Sequence, residues 1–201
     1  MIGIIDYGLG NIRAFANIYH ELDLPYRFVT GSEDFDQLSH IILPGVGSFD
    51  SAMEALERND LCDALHTAVF ETEIPILGVC VGMQVMAKAS EEGEKEGLGW
   101  FDTKVIKIDS TKSAPTPHMG WNKVRQMKSV SLFEGINQDS EFYFLHSYAF
   151  QTDCDGVVAL ASYSHDIGVV LQKKNIVGIQ CHPEKSHSAG TKVLENFAKL
   201  Y

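Results

Sequence analysis

The chain has 201 residues, 45% of them hydrophobic and 21% charged, the balance of a globular protein with one well-filled core. Sixteen basic against 27 acidic residues leave a net charge of −11. A field of that sign repels phosphate backbones and anionic lipid, which argues against nucleic acid and membrane surfaces as partners.

The opening MIGIIDYG lacks the basic start and cleavage site of a signal peptide, and no apolar run reaches the roughly 18 residues of a spanning helix. Four cysteines without paired spacing read as reduced thiols, so the expected compartment is the cytoplasm. In chain order, IGII (2–5) predicts a buried strand and NIRAFANIYHEL (11–22) a helix. YRFV after Pro25 and HIILPG (40–45) predict two further strands. FDSAMEALERND starts a helical stretch expected to continue through LCDALHTAVFET. IPILGVC (74–80) predicts a fourth strand and GMQVMAKAS a helix behind it. This alternation predicts an α/β fold with an open, mostly parallel sheet covered by helices on both faces.

From TKVIKI onward the segments are mostly short strands, expected as antiparallel additions to the sheet edge within a single domain spanning 1–201. Segment 91–99, EEGEKEGLG, predicts an exposed loop. The last stretch places Val193, Leu194, Phe197 and Tyr201 on one helical face that would dock on the sheet.

Cys80 sits between Gly78 and Gly82 at a predicted strand-to-helix corner. Buried cysteine is ordinarily core filler. A corner flanked by small residues, however, can lift a nucleophile into the open, as in the elbow of serine hydrolases. Unpaired N–H groups at the following helix start would favour thiolate, and the Val81 amide would face an oxyanion formed by sulfur attack. The G-x-C-x-G match is short, and the strand–helix junction gives it its weight.

A thiol nucleophile needs a base and an orienting group. His182 ends a predicted strand, Pro183 turns the chain outward, and Glu184 is near enough to hold the imidazole. Both Cys80 and the His182-Pro183-Glu184 element fall at carboxyl ends of predicted strands, where chemistry gathers in parallel sheets. Cys181 and His187 beside His182 raise a metal site as an alternative, but the spacing is not that of zinc ligands, and none is expected. Cys181, alternating with His182, is expected in the core.

The combination GVCVGMQ (78–84) with HPE (182–184) resembles the class I, triad-type glutamine amidotransferases. DYGLGN (6–11), LPGVGSFDSAM (43–53), PHMGWN (117–122), FYFLHSY (142–148) and HPEKS extend the likeness end to end. PGVGSF with PHMGWN narrows it to the glutaminase subunits of imidazole glycerol phosphate synthases in histidine biosynthesis. Cys181 departs from the aromatic usual before the HPE histidine.

The resemblance implies that Cys80 attacks the side-chain amide of L-glutamine, His182 moves protons and Glu184 orients His182. It implies oxyanion donors at Val81 and at Val46 or Gly47, and glutamine contacts at Gly45, Gln84, Ser147 and Tyr148. It also implies a heterodimer with a (β/α)8 synthase subunit that receives ammonia through a channel. Asn11, His118, Met119, Gly120, Trp121, Asn122 and Lys185 would lie at that interface. No cofactor is required. The triad alone leaves open a different synthase, such as one amidating a sugar, and a cysteine hydrolase of the same architecture. A non-catalytic partner that kept the fold is the third alternative.

Overall fold

The computed structural model describes residues 1–200, with side chains through Lys199; Tyr201 lies outside the described residues. The first half follows the expected alternation: β1 (Ile2–Ile5), α1 (Ile12–Glu21), β2 (Tyr26–Val29), β3 (His40–Gly45), α2 (Phe49–Arg58), α3 (Leu61–Phe70) and β4 (Ile76–Cys80). β1 is buried along its whole length, the signature of a parallel strand covered on both faces.

The helical stretch after residue 48 is two helices. Asp60 takes a left-handed conformation at φ 53°, and the Asn59 side-chain amide donates to the Ala55 carbonyl at 2.7 Å. Aspartate and asparagine tolerate this geometry better than most residues, and they end α2 there.

The expected helix over 82–90 is also overturned. After one turn, α4 (Val81–Gln84), the chain extends again into β5 (Ala87–Ser90). The returning segment claims the carbonyls a longer helix would need: Leu98 N–H donates to Val85, Trp100 to Met86 and Gly99 to Ala87.

The remaining strands are β6 (Phe101–Lys107), β7 (His118–Lys123), β8 (Arg125–Gln126), β9 (Glu141–His146), β10 (Tyr148–Ala149), β11 (Val157–Ser162), β12 (Asp166–Lys173) and β13 (Ile176–Ile179), followed by α5 (His187–Leu200). The main sheet has the order β2-β1-β3-β4-β13-β12-β11-β8. Its first five strands are parallel and the last three antiparallel additions, as the sequence predicts. The other second-half strands do not join this edge. They form a three-stranded sheet, β10-β6-β5, and a β7-β9 hairpin-like pair.

From β1 the chain steps outward to β2 and then back across to β3 and β4. Right-handed crossovers in opposite directions place α1 and α2–α3 on opposite faces. α5 joins α1, burying Val193, Leu194 and Phe197 completely. The last parallel strand, β13, inserts beside β4, with Ile179 opposite Val79. That register brings the HPE element next to Cys80.

Candidate active site

Cys80 ends β4 at φ 55° and ψ −112°, a sparsely populated conformation that costs a non-glycine residue roughly 1–3 kcal/mol. Two glycines make the corner possible. A Cβ on Gly82 would lie 1.9 Å from the Leu43 carbonyl oxygen, and one on Gly78 would lie 2.6 Å from that of Gly82. Because α4 is a single turn, no long-helix dipole adds to the free amides at its start. The N–H of Val81, its first residue, has no intrahelical acceptor.

His182 lies beyond β13 at the head of a 3₁₀ turn, Pro183–Lys185. Its Nδ1 donates to Glu184 Oε1 at 2.9 Å, and both side chains are almost fully buried. Burial alone would lower the histidine pKa, but hydrogen bonds to the Cys80 side chain and the Glu184 carboxylate outweigh it and push it up to about 10. Nδ1 is committed to Glu184, which leaves Nε2 for the sulfur. The second Glu184 oxygen is buried without a hydrogen-bond partner, so His182 is the carboxylate's principal counter-charge. The backbone holds the element firmly: His182 N–H donates to Tyr143, and the Ser186 hydroxyl donates to the His182 carbonyl at 2.6 Å.

These groups open onto a cavity of about 270 Å³. Val46, Gly47, Cys80, Val81, Gln84, Ser147, Tyr148, His182 and Lys185 all line it, so the fold brings together most of the residues singled out in the sequence. Gly45 sits behind the wall, directly opposite Cys80 in the β3–β4 ladder. Gly47 is at φ 92°, a conformation that favours glycine, and Val46 is exposed at the mouth. Gln84 donates to the Tyr148 carbonyl and to Gln180 Oε1, each at 3.0 Å, which leaves its own carbonyl oxygen to accept.

The PHMGWN residues divide between surface and interior. Met119 and Trp121 are 64% and 45% exposed, and Asn11 is exposed at the start of α1. Lys185 is exposed with Nζ 5.7 Å from the Tyr143 ring centre. Gly120 and Asn122 are half-buried on β7. His118, which the resemblance puts at the partner interface, is buried. It is 2% exposed, stacked on Phe144 and Tyr163, because alternation on β7 turns it inward while Met119 faces out. Cys181 is fully buried, as expected, and its thiol pKa is raised, chiefly by burial.

Sequence reasoning missed several groups. Glu92 lines the cavity and its carboxylate accepts from Phe49 N–H, the first residue of α2, at 2.8 Å. Its loop of charged residues gave no local signal that one would turn inward. Gln180, fully buried, donates to Cys80 Sγ at 3.6 Å, and His146, Leu145 and Pro117 complete the wall. No group of three or more potential metal-binding side chains occurs among the described residues.

A buried thiol, an imidazole bonded to a buried carboxylate on the same cavity, and a small pocket with amides at its rim suit acyl transfer through sulfur. The comparisons with known proteins agree. Residues 3–200 match the family model for glutamine amidotransferase class-I. The chain is 44% identical over 204 residues to the imidazole glycerol phosphate synthase subunit HisH of Leptospira borgpetersenii, and 42% identical to that of Bdellovibrio bacteriovorus. Each alignment covers 100% of both chains. Among solved structures, a glutamine amidotransferase superposes with a TM-score of 0.76 at 18% identity, covering 99% of this chain and 97% of that one. A putative GMP synthase component from Thermoplasma acidophilum gives 0.72 at 22% identity, covering 98% and 90%, so both show the fold. The chain belongs to the class-I glutamine amidotransferase family and is a glutamine-hydrolysing enzyme.

Proposed function

We propose that this chain, acting as one domain, is the glutamine-hydrolysing subunit of imidazole glycerol phosphate synthase. It would pass ammonia to a (β/α)8 synthase subunit that makes imidazole glycerol phosphate and an aminoimidazole carboxamide ribotide. The observation that carries the chemistry is the buried His182–Glu184 pair opening with Cys80 onto one cavity.

In this reading the Cys80 proton already rests on His182, and the sulfur attacks the side-chain carbonyl carbon of glutamine as thiolate. The oxyanion is held by the Val81 amide and by an amide at Val46 or Gly47. The tetrahedral adduct collapses, His182 returns its proton to the leaving nitrogen, and ammonia departs to leave a glutamyl thioester. His182 then deprotonates water, which attacks the thioester and releases glutamate and the thiol. Glu184 orients the ring and stabilises the imidazolium. Gln84, with the backbone at Ser147 and Tyr148, would hold the amino-acid end of the substrate, while Gly45, behind the elbow, gives the cysteine turn the room it needs. The Glu92 carboxylate suits the α-ammonium.

Ammonia set free in neutral water becomes mostly ammonium, which has no lone pair for attack, so direct delivery to the synthase makes chemical sense. The exposed apolar side chains Val46, Met119, Trp121 and Leu145 support docking on this side of the cavity. Asn11, Gly120, Asn122 and Lys185 would border that contact. Glutamine-dependent formation of imidazole glycerol phosphate, measured after mixing the chain with a histidine-pathway barrel subunit, tests this reading. Product formed only with ammonium salts, and never with glutamine, would sink it.

A further inference from the structure

We propose that Gln180 is a positioning residue for the Cys80 sulfur, held by a hydrogen-bonded frame that runs inward from Asn122 on β7. The proposal rests on reading Cys80 as the nucleophile.

The frame can be followed atom by atom. Asn122 Nδ2 lies 3.2 Å from His118 Nε2, and His118 Nδ1 lies 2.9 Å from His146 Nε2. His146 Nδ1 lies 2.8 Å from the Tyr148 carbonyl oxygen. That oxygen also receives Gln84 Nε2, which bonds Gln180 Oε1, while Gln180 Nε2 points at Cys80 Sγ.

One fixed acceptor sets every hydrogen in the histidine half. A carbonyl oxygen only accepts, so His146 Nδ1 carries the proton, and in the neutral ring Nε2 must accept. His118 Nδ1 is therefore protonated and His118 Nε2 accepts from the Asn122 amide. The Asn122 amide is itself oriented, because its nitrogen donates to the Ser162 carbonyl and its oxygen accepts Lys123 N–H. Burial keeps both rings neutral at physiological pH, lowering His118 to about 4 and His146 to about 3. The Tyr148 oxygen receives donors from both sides, so no proton passes along the frame. Its effect is to fix one orientation of Tyr148 and of both glutamine carboxamides.

That fixed orientation presents an N–H to the sulfur. The bond strengthens when the sulfur becomes anionic, which lowers the cost of forming thiolate. Deleting the donor, or any member that orients it, raises the pH at which Cys80 ionises.

The test is the rate of alkylation of Cys80 by iodoacetamide against pH in the full-length chain, read at that residue by mass spectrometry. Only thiolate reacts, so the midpoint reports its ionisation. Gln180→Met is expected to raise the midpoint by about one pH unit, or about tenfold less thiolate near neutrality. His118→Phe keeps a ring between Phe144 and Tyr163 but loses the donor, and is expected to shift the midpoint the same way. The double variant should shift no further than Gln180→Met alone. An unchanged midpoint in folded Gln180→Met or His118→Phe, or additive shifts, overturns the proposal. Should Gln180→Met fail to fold, Gln180→Leu removes the donor without adding charge, and an unraised midpoint there overturns it equally. No glutamine enters this assay, so a failed glutaminase reading would show in turnover and leave these midpoints unaffected.

Discussion

Gly45 faces Cys80 across the last rung of the β3–β4 ladder, and a Cβ there would come within 2.3 Å of the Gly82 backbone nitrogen. The end of β3 and the cysteine turn are therefore packed backbone to backbone. Gly45→Ala must push the 46–47 loop away from the elbow. The expected result is destabilisation by about 1–3 kcal/mol in urea unfolding, as for other overpacked sites, with glutamine turnover reduced more than stability alone explains. Wild-type turnover in Gly45→Ala would show that this approach is not needed for catalysis.

The His182–Glu184 pair makes a prediction about pH. The His182 pKa is about 10 when folded and near the ordinary 6.5 when unfolded, so the folded state binds the extra proton between those values. The stabilisation that Cys80 and Glu184 together give the His182 imidazolium, against the opposing effect of burial, is complete below about pH 6.5 and is lost as pH rises through about 10. Glu184→Gln lowers the folded pKa and should flatten that loss. Urea titrations of both proteins at pH 6, 8 and 10 check it; parallel slopes would contradict the assignment. The same variant leaves the ring poorly oriented and should lower kcat by about 10²–10⁴-fold.

Much of the framework was legible in the sequence because it is periodic or chemically marked. Buried parallel strands read as apolar runs, and the cysteine corner and HPE element carry glycine or proline at positions where the backbone needs them. Features decided by distant partners were not legible. The helix after Cys80 stops at Gln84 because residues 98–101 capture its carbonyls, a pairing with no local trace. The second-half strands read correctly as strands, but their division among three sheets depends on long-range pairing. Glu92, Gln180 and His146 each look like ordinary polar residues until the fold turns them inward. That His118 turns inward between the exposed Met119 and Trp121 likewise depends on β7 pairing with β9 rather than on any local signal.

Glu92 offers a specificity test. Its carboxylate lines the cavity and suits a cationic group, so Glu92→Gln should raise KM for glutamine by about ten- to a hundredfold, the worth of one charge-assisted hydrogen bond. kcat should change much less. Steady-state kinetics with the synthase subunit present separates the two, and an unchanged KM would remove Glu92 from substrate binding.

Trp121 is stacked on His187 at 4.9 Å between ring centres, yet it leaves nearly half its surface in solvent. A rigid exposed aromatic beside Met119 has the form of an interface anchor. Trp121→Ala should weaken binding of the synthase subunit by about tenfold or more in calorimetric titration, while thermal unfolding of the isolated chain changes little. Equal affinity would move the docking surface elsewhere.

The most direct test is ammonia release from glutamine by the wild-type chain and by Cys80→Ala, each with and without the barrel subunit. A nucleophilic sulfur that serves a docked synthase subunit predicts slow release by the wild-type chain alone and faster release with its partner. It predicts none above background from Cys80→Ala in either case. Ammonia formed at the wild-type rate by Cys80→Ala would contradict the account at its base.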